Sequence, residues 1–117
     1  MTLEEICAVL LAHPEAQEDQ PFGPGALVYK VRGKMFALVA DSLPPKVSLK
    51  CNPVLATMLR DTYPAVQPGY HLNKQHWNTV VLDGSIPESE IREWITHSYD
   101  LVVKGLPKRD REELARS

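Results

Sequence analysis

Residues 68–82, PGYHLNKQHWNTVVL, crowd side-chain hydrogen-bond donors directly in front of an apolar run. The donors include Tyr70, His71, Asn73, Lys74, His76, Trp77 and Asn78. Cations, amides and aromatic planes are the groups that contact phosphates and stack on bases. The segment is therefore a candidate surface for a polyanion.

Each of these side chains also has a structural interpretation. Trp77 is either a core residue or an exposed wedge, and buried tryptophan is the commoner case. Asn73 can close a turn through local backbone hydrogen bonds. We expect Trp77 and Asn73 to hold this edge of the fold together. The residues expected to touch a partner are His71, Lys74 and His76.

Metal binding and catalysis fit the segment less well. His71 and His76 are five residues apart, a spacing that does not place them on the same face of a helix or of a strand. No third ligand lies near them in the sequence. Cys51 or Ser48 could pair with one of these histidines across the fold, but neither has the local motif of an activated nucleophile. The sequence therefore predicts no catalytic residue, no metal, no cofactor and no enzymatic activity.

The distribution of charge indicates the same region. The net charge of −2 disfavours a dedicated polyanion binder, but the signs are segregated along the chain. Residues 1–26 have five acidic and no basic side chains, whereas residues 27–82 have seven basic and two acidic ones. Residues 83–117 have six basic and eight acidic ones. The central segment, at +5, is where an anionic partner is expected.

The order of the elements predicts a single α+β domain over residues 1–117, with an antiparallel sheet and helices packed on one face. Strands are expected at 27–32, 34–40, 46–50 and 76–82. Helices are expected at 3–12, 53–62 and 86–104, before a short charged helix. Capping boxes at Thr2 to Glu5 and at Ser85 to Glu88 mark two of the helix starts. Residues 15–26, rich in proline and glycine, should form an irregular loop.

Strand alternation places basic residues on shared faces. Lys46, Ser48 and Lys50 point to one side of their strand, which we expect to be solvated. Lys30 and Arg32 likewise share a face of the strand at 27–32. The predicted nucleic-acid-binding residues are Lys30, Arg32, Lys46, Lys50, His71, Lys74 and His76, with Tyr70 and Trp77 as structural residues or aromatic wedges.

The residue types also predict which side chains are buried and where in the cell the protein is located. The residues expected in the core are Leu10, Val31, Phe36, Leu38, Leu49, Leu59, Val81, Trp94, Ile95 and Val102. Cys7 and Cys51 are expected to be unbridged thiols of a reducing compartment. No apolar run is long enough to span a membrane, and the first residues lack the features of a signal peptide. We therefore expect a cytoplasmic monomer with no membrane partner.

Several stretches resemble the MmcQ/YjbR family of small bacterial proteins. They are PFGP (21–24), VRGKMFAL (31–38), VSLKCNP (47–53), LRDTYPAVQPGYHLNKQHWNTV (59–80) and HSYDLVVKGLPK (97–108). The resemblance implies a frataxin-like (CyaY-like) α+β fold and a double-wing arrangement, in which two hairpin-like wings of the sheet lie against DNA. DNA binding is the function that the resemblance and the basic segment together predict.

Two other functions stay open. The frataxin-like fold also suggests a divalent metal held by acidic oxygens near the first helix. Its candidate ligands are Glu4, Glu5, Glu15, Glu18 and Asp19, although negative charge at a helix N-terminus already explains the first two. The remaining alternative is a binding module for a protein or a small molecule near Tyr70 and Trp77, with no role in DNA binding.

Overall fold

A computed structural model describes residues 1–116. Its helices are α1 (Leu3–Leu11), α2 (Pro53–Thr62), α3 (Glu88–Lys104) and α4 (Lys108–Arg116). Its strands are β1 (Gln17–Asp19), β2 (Ala26–Val31), β3 (Lys34–Ala40), β4 (Lys46–Lys50), β5 (Val66–Pro68) and β6 (Trp77–Val81). The strands form one antiparallel sheet in the order β1-β2-β3-β4-β6-β5. The predicted α+β class is confirmed.

The sheet has two chemically different faces. The inner face carries one apolar row across β2, β3 and β4, namely Tyr29, Ala37 and Leu49, and packs against the helices. Ile6, Leu10, Ile91, Ile95 and Val102 contribute to the same buried core from α1 and α3. The outer face, on the other side, carries the row Val28, Leu38, Ser48 and Thr79.

Helix α3 is tied to the sheet by a buried hydroxyl. Ser98 is 0% exposed, and its Oγ donates to the carbonyl of Phe36 at 2.6 Å. The same Oγ accepts from the backbone N–H of Lys50 at 2.8 Å. A register shift between β2 and β3 beside Tyr29 puts Phe36 out of the regular pairing. Ser98 thus satisfies backbone groups where the β3–β4 ladder ends, as buried polar groups require.

One predicted capping box forms and the other does not. Thr2 Oγ1 accepts from the N–H of Glu5 at 3.2 Å, and the Glu5 carboxylate accepts from the N–H of Thr2 at 3.0 Å. The prediction of a capping box at Ser85 was wrong, because Ser85 Oγ donates to Asp83 at 2.6 Å within the preceding turn. Pro87 takes the N-cap position of α3 without a side-chain hydrogen bond.

No helix of residues 1–116 combines the length and the apolar character needed to cross a bilayer.

Two strands were missing from the prediction. β1 lies within the segment expected to be an irregular loop and pairs with β2, with Glu18 opposite Tyr29. β5 pairs with β6, with Gln67 opposite Thr79. Both strands have three residues, which is too short for period-2 alternation to be recognised.

Most of the predicted core is buried. The buried members are Leu10, Val31, Phe36, Leu49, Trp94, Ile95 and Val102. Leu38, Leu59 and Val81 are only half-buried. For Leu38 the reason is its face, because it stands opposite Ser48 on the outer side of the sheet and lies outside the core cluster. Cys7 and Cys51 are free thiols, as predicted.

Candidate nucleic-acid interface

The β5–β6 loop, residues 69–76, folds over part of the outer face. The N–H of Tyr70 donates to Thr79 Oγ1 at 3.0 Å, and Thr79 Oγ1 also hydrogen bonds with Ser48 Oγ at 2.8 Å. Ser48 is only 5% exposed. The expectation that Ser48 faces solvent was therefore wrong, because the loop covers the centre of this face.

Arg60, on α2, anchors the end of the loop. Its guanidinium donates to Asn78 Oδ1 at 2.7 Å, to the carbonyl of Trp77 at 3.2 Å and to the carbonyl of Lys74. Asn78 is 3% exposed and donates in turn to the carbonyl of Ala56 at 3.3 Å. A planar guanidinium with five N–H donors suits several fixed acceptors at once. In the sequence, Arg60 is recognisable only as a positive charge, and no local pattern reveals this role.

Three further contacts close the loop on itself. Lys74 Nζ donates to the carbonyl of Gly69 at 2.9 Å. Asn73 Oδ1 accepts from the N–H groups of Gln75 at 2.9 Å and His76 at 3.2 Å. Asn73 therefore closes a turn, as predicted. Lys74 uses one of its donors within the loop, although the residue as a whole is exposed.

Trp77 fits neither of its two interpretations completely. It is half-buried and stands opposite Lys50 in the β4–β6 pairing, on the outer side of the sheet. The backbone of Gly69 lies against it: a Cβ placed on Gly69 would be 2.7 Å from the Cβ of Trp77. Trp77 thus supports the loop from below, outside the buried core cluster.

Three lysines, from strands β2 and β4, lie on the outer face. Lys46 stands opposite Val81, Lys50 opposite Trp77 and Lys30 opposite Met35. Lys30 Nζ is 3.8 Å from a carboxylate oxygen of Asp19. Within residues 1–116, no carboxylate forms an ion pair with Lys46 or Lys50. The face therefore presents positive charge that the protein leaves mostly uncompensated.

Arg32 does not belong to this group. It lies in the β2–β3 turn with a φ of 50°, so the alternation of β2 does not extend to it. Its guanidinium contacts Glu15 at 2.8 and 3.0 Å, Glu113 at 3.1 Å and Asp110 at 3.4 Å. Hydrogen bonding from Arg32 is the main reason that the pKa of Glu113 is lowered. The prediction that Arg32 shares a face with Lys30 was wrong.

An apolar groove lies on the outer face beside the loop. It has a volume of about 470 Å³ and is lined chiefly by Phe22, Met35, Leu38, Ala40, Tyr70 and Leu72. We name it the Phe22–Tyr70 groove. Its floor is β3, and its walls are the β1–β2 connection and the β5–β6 loop. Phe22 is 72% exposed and Tyr70 is 68% exposed.

His71 also borders this groove. Its φ is 59°, and its ring centroid lies 4.0 Å from that of Tyr70. His76 is exposed, and its carbonyl accepts from the N–H of Cys51 at 2.7 Å. The structure therefore brings His71 and Tyr70 onto the outer face and leaves His76 and Lys74 at the start of β6. Phe22 was not among the predicted site residues, because no pattern in the sequence links it to Tyr70.

Most acids proposed as metal ligands have other partners. Glu5 caps α1, and Glu15 binds Arg32. Glu18 accepts from the hydroxyl of Tyr29 at 2.6 Å, and Asp19 lies beside Lys30. The part of the chain that the structure describes contains no cluster of three His, Cys, Asp or Glu side chains placed to hold a metal ion.

The possible nucleophiles are also engaged or buried. Ser48 Oγ is hydrogen bonded to Thr79 rather than to a histidine. Burial raises the pKa of the Cys51 thiol, which disfavours the thiolate that a nucleophile requires. Across residues 1–116, neither side chain hydrogen bonds with His71 or His76.

The fold and this site define a small α+β protein, with helices on one side of an antiparallel sheet and a polar loop with a basic surface on the other. The YjbR family profile matches residues 11–101, and the chain belongs to this family. It is 40% identical to YjbR of Escherichia coli K12 over 115 residues, which are 97% of this chain and 98% of that protein.

Two solved structures are also similar. The crystal structure of DR2400 from Deinococcus radiodurans, a DUF419 domain, superposes with a TM-score of 0.91 at 39% identity, covering 97% of this chain and 88% of that one. A crystal structure of a Pseudomonas syringae protein has a TM-score of 0.78 at 28% identity, covering 86% and 98%. These comparisons confirm the family and the architecture.

Proposed function

We propose that the protein binds DNA, without catalysis, through the outer face of its sheet. The observation that carries this proposal is the gathering of Lys30, Lys46 and Lys50 on one face, with two of them free of ion pairs inside the described chain. Unpaired lysines can replace the counterions of a phosphate backbone, and this exchange supplies most of the affinity for DNA. Arg32 is left out of the proposed surface because three carboxylates already hold it.

The spacing of the lysines suits a phosphate backbone. Lys46 and Lys50 are four residues apart on one strand, or about 13 Å at the usual rise of a strand. Lys30 is two strands away, or about 10 Å at the usual separation of strands. Charges distributed over such distances can meet several phosphates at once. His71, Lys74 and His76 extend the surface from the loop.

The finer description of the fold belongs to the same proposal. We take the fold to be frataxin-like and to act in the double-wing manner that the family resemblance implies. The β2–β3 and β5–β6 hairpins, which flank β4 and its two lysines in the sheet order, are the proposed wings. The proposed active form is a cytoplasmic monomer without a cofactor.

Amide shift mapping with a short DNA duplex tests both the existence and the location of binding. We expect the largest shifts in β4, around Lys30 and in residues 70–77, and none on the exposed side of α3 or α4. The same titration at high salt is the control, because phosphate contacts weaken steeply as salt rises. Shifts confined to the helices, or no shifts at low salt, would contradict the proposal.

A second candidate function is the binding of a small apolar molecule in the Phe22–Tyr70 groove. The observation that favours it is the groove volume of about 470 Å³, since ligand pockets are roughly 300–1,000 Å³. Titration of the protein with a panel of metabolites, monitored through the NMR chemical shifts of the Leu38 and Leu72 methyl groups, tests this function. A compound that moves these methyl groups in the absence of DNA favours this function, and a panel without such a compound argues against it.

A further inference from the structure

The Phe22–Tyr70 groove has exposed aromatic side chains on its walls. Two aromatic side chains, Phe22 and Tyr70, stay 72% and 68% exposed while they border one depression. Contiguous exposed apolar surface of this kind usually marks a binding site. Because both rings belong to connecting segments and not to strands, they stand above the floor that β3 provides.

Positive charge flanks this groove along β3. Met35 lies towards one end of the floor and faces Lys30 on β2. Ala40 lies at the other end and faces Lys46 on β4. Ala40 is five positions after Met35 along β3, which corresponds to about 16 Å. An occupant with an apolar, flat centre and negative charge on both sides complements this arrangement.

An unpaired nucleotide within a DNA strand has this chemistry. Its base presents two apolar faces, and a phosphate follows on each side. Aromatic side chains stack on bases of any sequence, and positively charged grooves track the backbone of single-stranded nucleic acid. Bases inside a duplex are stacked on one another and paired, so they cannot enter. A wholly apolar ligand would leave Lys46 without an ionic partner among residues 1–116.

We propose that the Phe22–Tyr70 groove binds an unpaired base of single-stranded DNA, stacked against both Phe22 and Tyr70, with its neighbouring phosphates at Lys30 and Lys46. This inference rests on the proposed function, because it uses the same outer face. It adds a preference for single-stranded or locally opened DNA. Because the lining is apolar, the preference does not extend to particular bases.

Fluorescence anisotropy with three labelled probes of equal length tests the inference. The probes are a thymidine oligonucleotide, the same strand with central abasic sites, and a duplex. The abasic strand keeps every phosphate and lacks the bases that would stack. We expect the thymidine strand to bind roughly 5- to 100-fold more tightly than the abasic strand, the range that stacking of a single base supplies.

Two variants locate the effect. Phe22→Ala and Tyr70→Ala should each weaken binding of the thymidine strand by roughly 5- to 100-fold, towards the affinity of the abasic strand, and should leave duplex binding unchanged. Phe22→Leu, which keeps an apolar side chain without a ring, should behave like Phe22→Ala. Leu43→Ala is the matched control, because Leu43 is 100% exposed and does not line the groove. Both aromatic side chains are exposed, so thermal melting should verify an intact fold in each variant.

The outcomes separate the two proposals. If none of the probes binds at low salt, the proposed function and this inference both fail. The inference is overturned if the abasic strand binds as tightly as the thymidine strand and Phe22→Ala leaves the affinity for the thymidine strand unchanged. If the duplex still binds in that case, DNA binding by the outer face stands. Stacking on Phe22 is likewise overturned if Phe22→Leu retains the full affinity for the thymidine strand.

Discussion

At the scale of single residues, the loop that carries Tyr70, His71 and Lys74 depends on an arginine from a neighbouring helix. Arg60 donates to the side chain of Asn78 and to two backbone carbonyls. Asn78 is 3% exposed, so water cannot readily replace a lost donor. A buried polar group left without a partner costs about 1–3 kcal/mol.

Replacement of Arg60 by alanine should therefore destabilise the protein. We expect Arg60→Ala to lower the free energy of unfolding by about 1–3 kcal/mol, measured by urea denaturation. Arg111→Ala, an exposed change on α4, is the matched control and should stay within about 0.5 kcal/mol of the parent. Equal stability of the two variants would show that Arg60 does not hold the loop.

Gly69 provides an independent test of the same loop. A Cβ at this position would lie 2.7 Å from the Cβ of Trp77 and 3.0 Å from its carbonyl oxygen. Both obstacles are fixed by the strand, so no change of side-chain rotamer can relieve them. We expect Gly69→Ala to lower the free energy of unfolding by about 1–3 kcal/mol, the usual effect of overpacking.

Gly105 is the matched control for this substitution. Its φ is −84°, and a Cβ there would meet no atom closer than 3.5 Å. Gly105→Ala should be neutral or should stabilise the protein by up to about 1 kcal/mol, since alanine restricts the unfolded chain. If the two glycine variants unfold at the same urea concentration, the contact between Gly69 and Trp77 has no energetic role.

At the scale of elements, the sequence was most informative where a pattern extends over several residues. The Thr2–Glu5 capping box and the alternation of β4 were both read correctly. The alternation failed for Arg32 because a turn residue with positive φ does not continue a strand. Ser48 was placed on the correct face, but the loop that covers it comes from a distant part of the chain.

The candidate site was less predictable than the fold, because its contacts join segments that are distant in the chain. Most of the predicted cations lie on the outer face because strand periodicity fixes the side on which a residue stands. The partners of Arg60 depend on how α2 packs beside β6, which no local pattern encodes. The Phe22–Tyr70 groove likewise forms only when two connecting segments meet over β3.

The attachment of helix α4 to the β2–β3 turn should depend on pH. Arg32 joins them through Glu113 and Asp110. Hydrogen bonds from Arg32 and Arg109 lower the pKa of Glu113 from its ordinary value of 4.5. A lowered folded-state pKa stabilises the folded state fully above 4.5, and this contribution is lost as the pH falls through the lowered value.

An acid titration followed by the methyl signals of Leu114, which packs against the core from α4, measures this coupling. We expect the signals to move towards those of an undocked helix as the pH falls below 4.5. In Arg32→Ala they should already be shifted at neutral pH, with a smaller change on acidification. An Arg32→Ala protein whose Leu114 signals follow the parent at every pH would contradict the coupling.

Across the whole molecule, a net charge of −2 conceals an uneven distribution of charge. The carboxylates of Glu15, Asp110 and Glu113 surround Arg32 at one corner of the fold. Lys46 and Lys50 stand on the outer face without ion pairs in the described chain. Local charge and not net charge governs the approach of a polyanion to such a protein.

Duplex binding measured by fluorescence anisotropy across a salt series tests whether the outer face of the sheet is the DNA-binding surface. The parent should bind with a slope of log K against log salt near −3 to −4, as expected for about four neutralised phosphates. The Lys30→Ala, Lys46→Ala, Lys50→Ala triple variant should bind more weakly, and its slope should be reduced by about one for each lysine removed. The matched control replaces Lys104, Lys108 and Arg111, exposed residues of α3 and α4, and should retain the parent's affinity and slope. A triple lysine variant that binds the duplex as the parent does would contradict the assignment of the outer face as the DNA-binding surface.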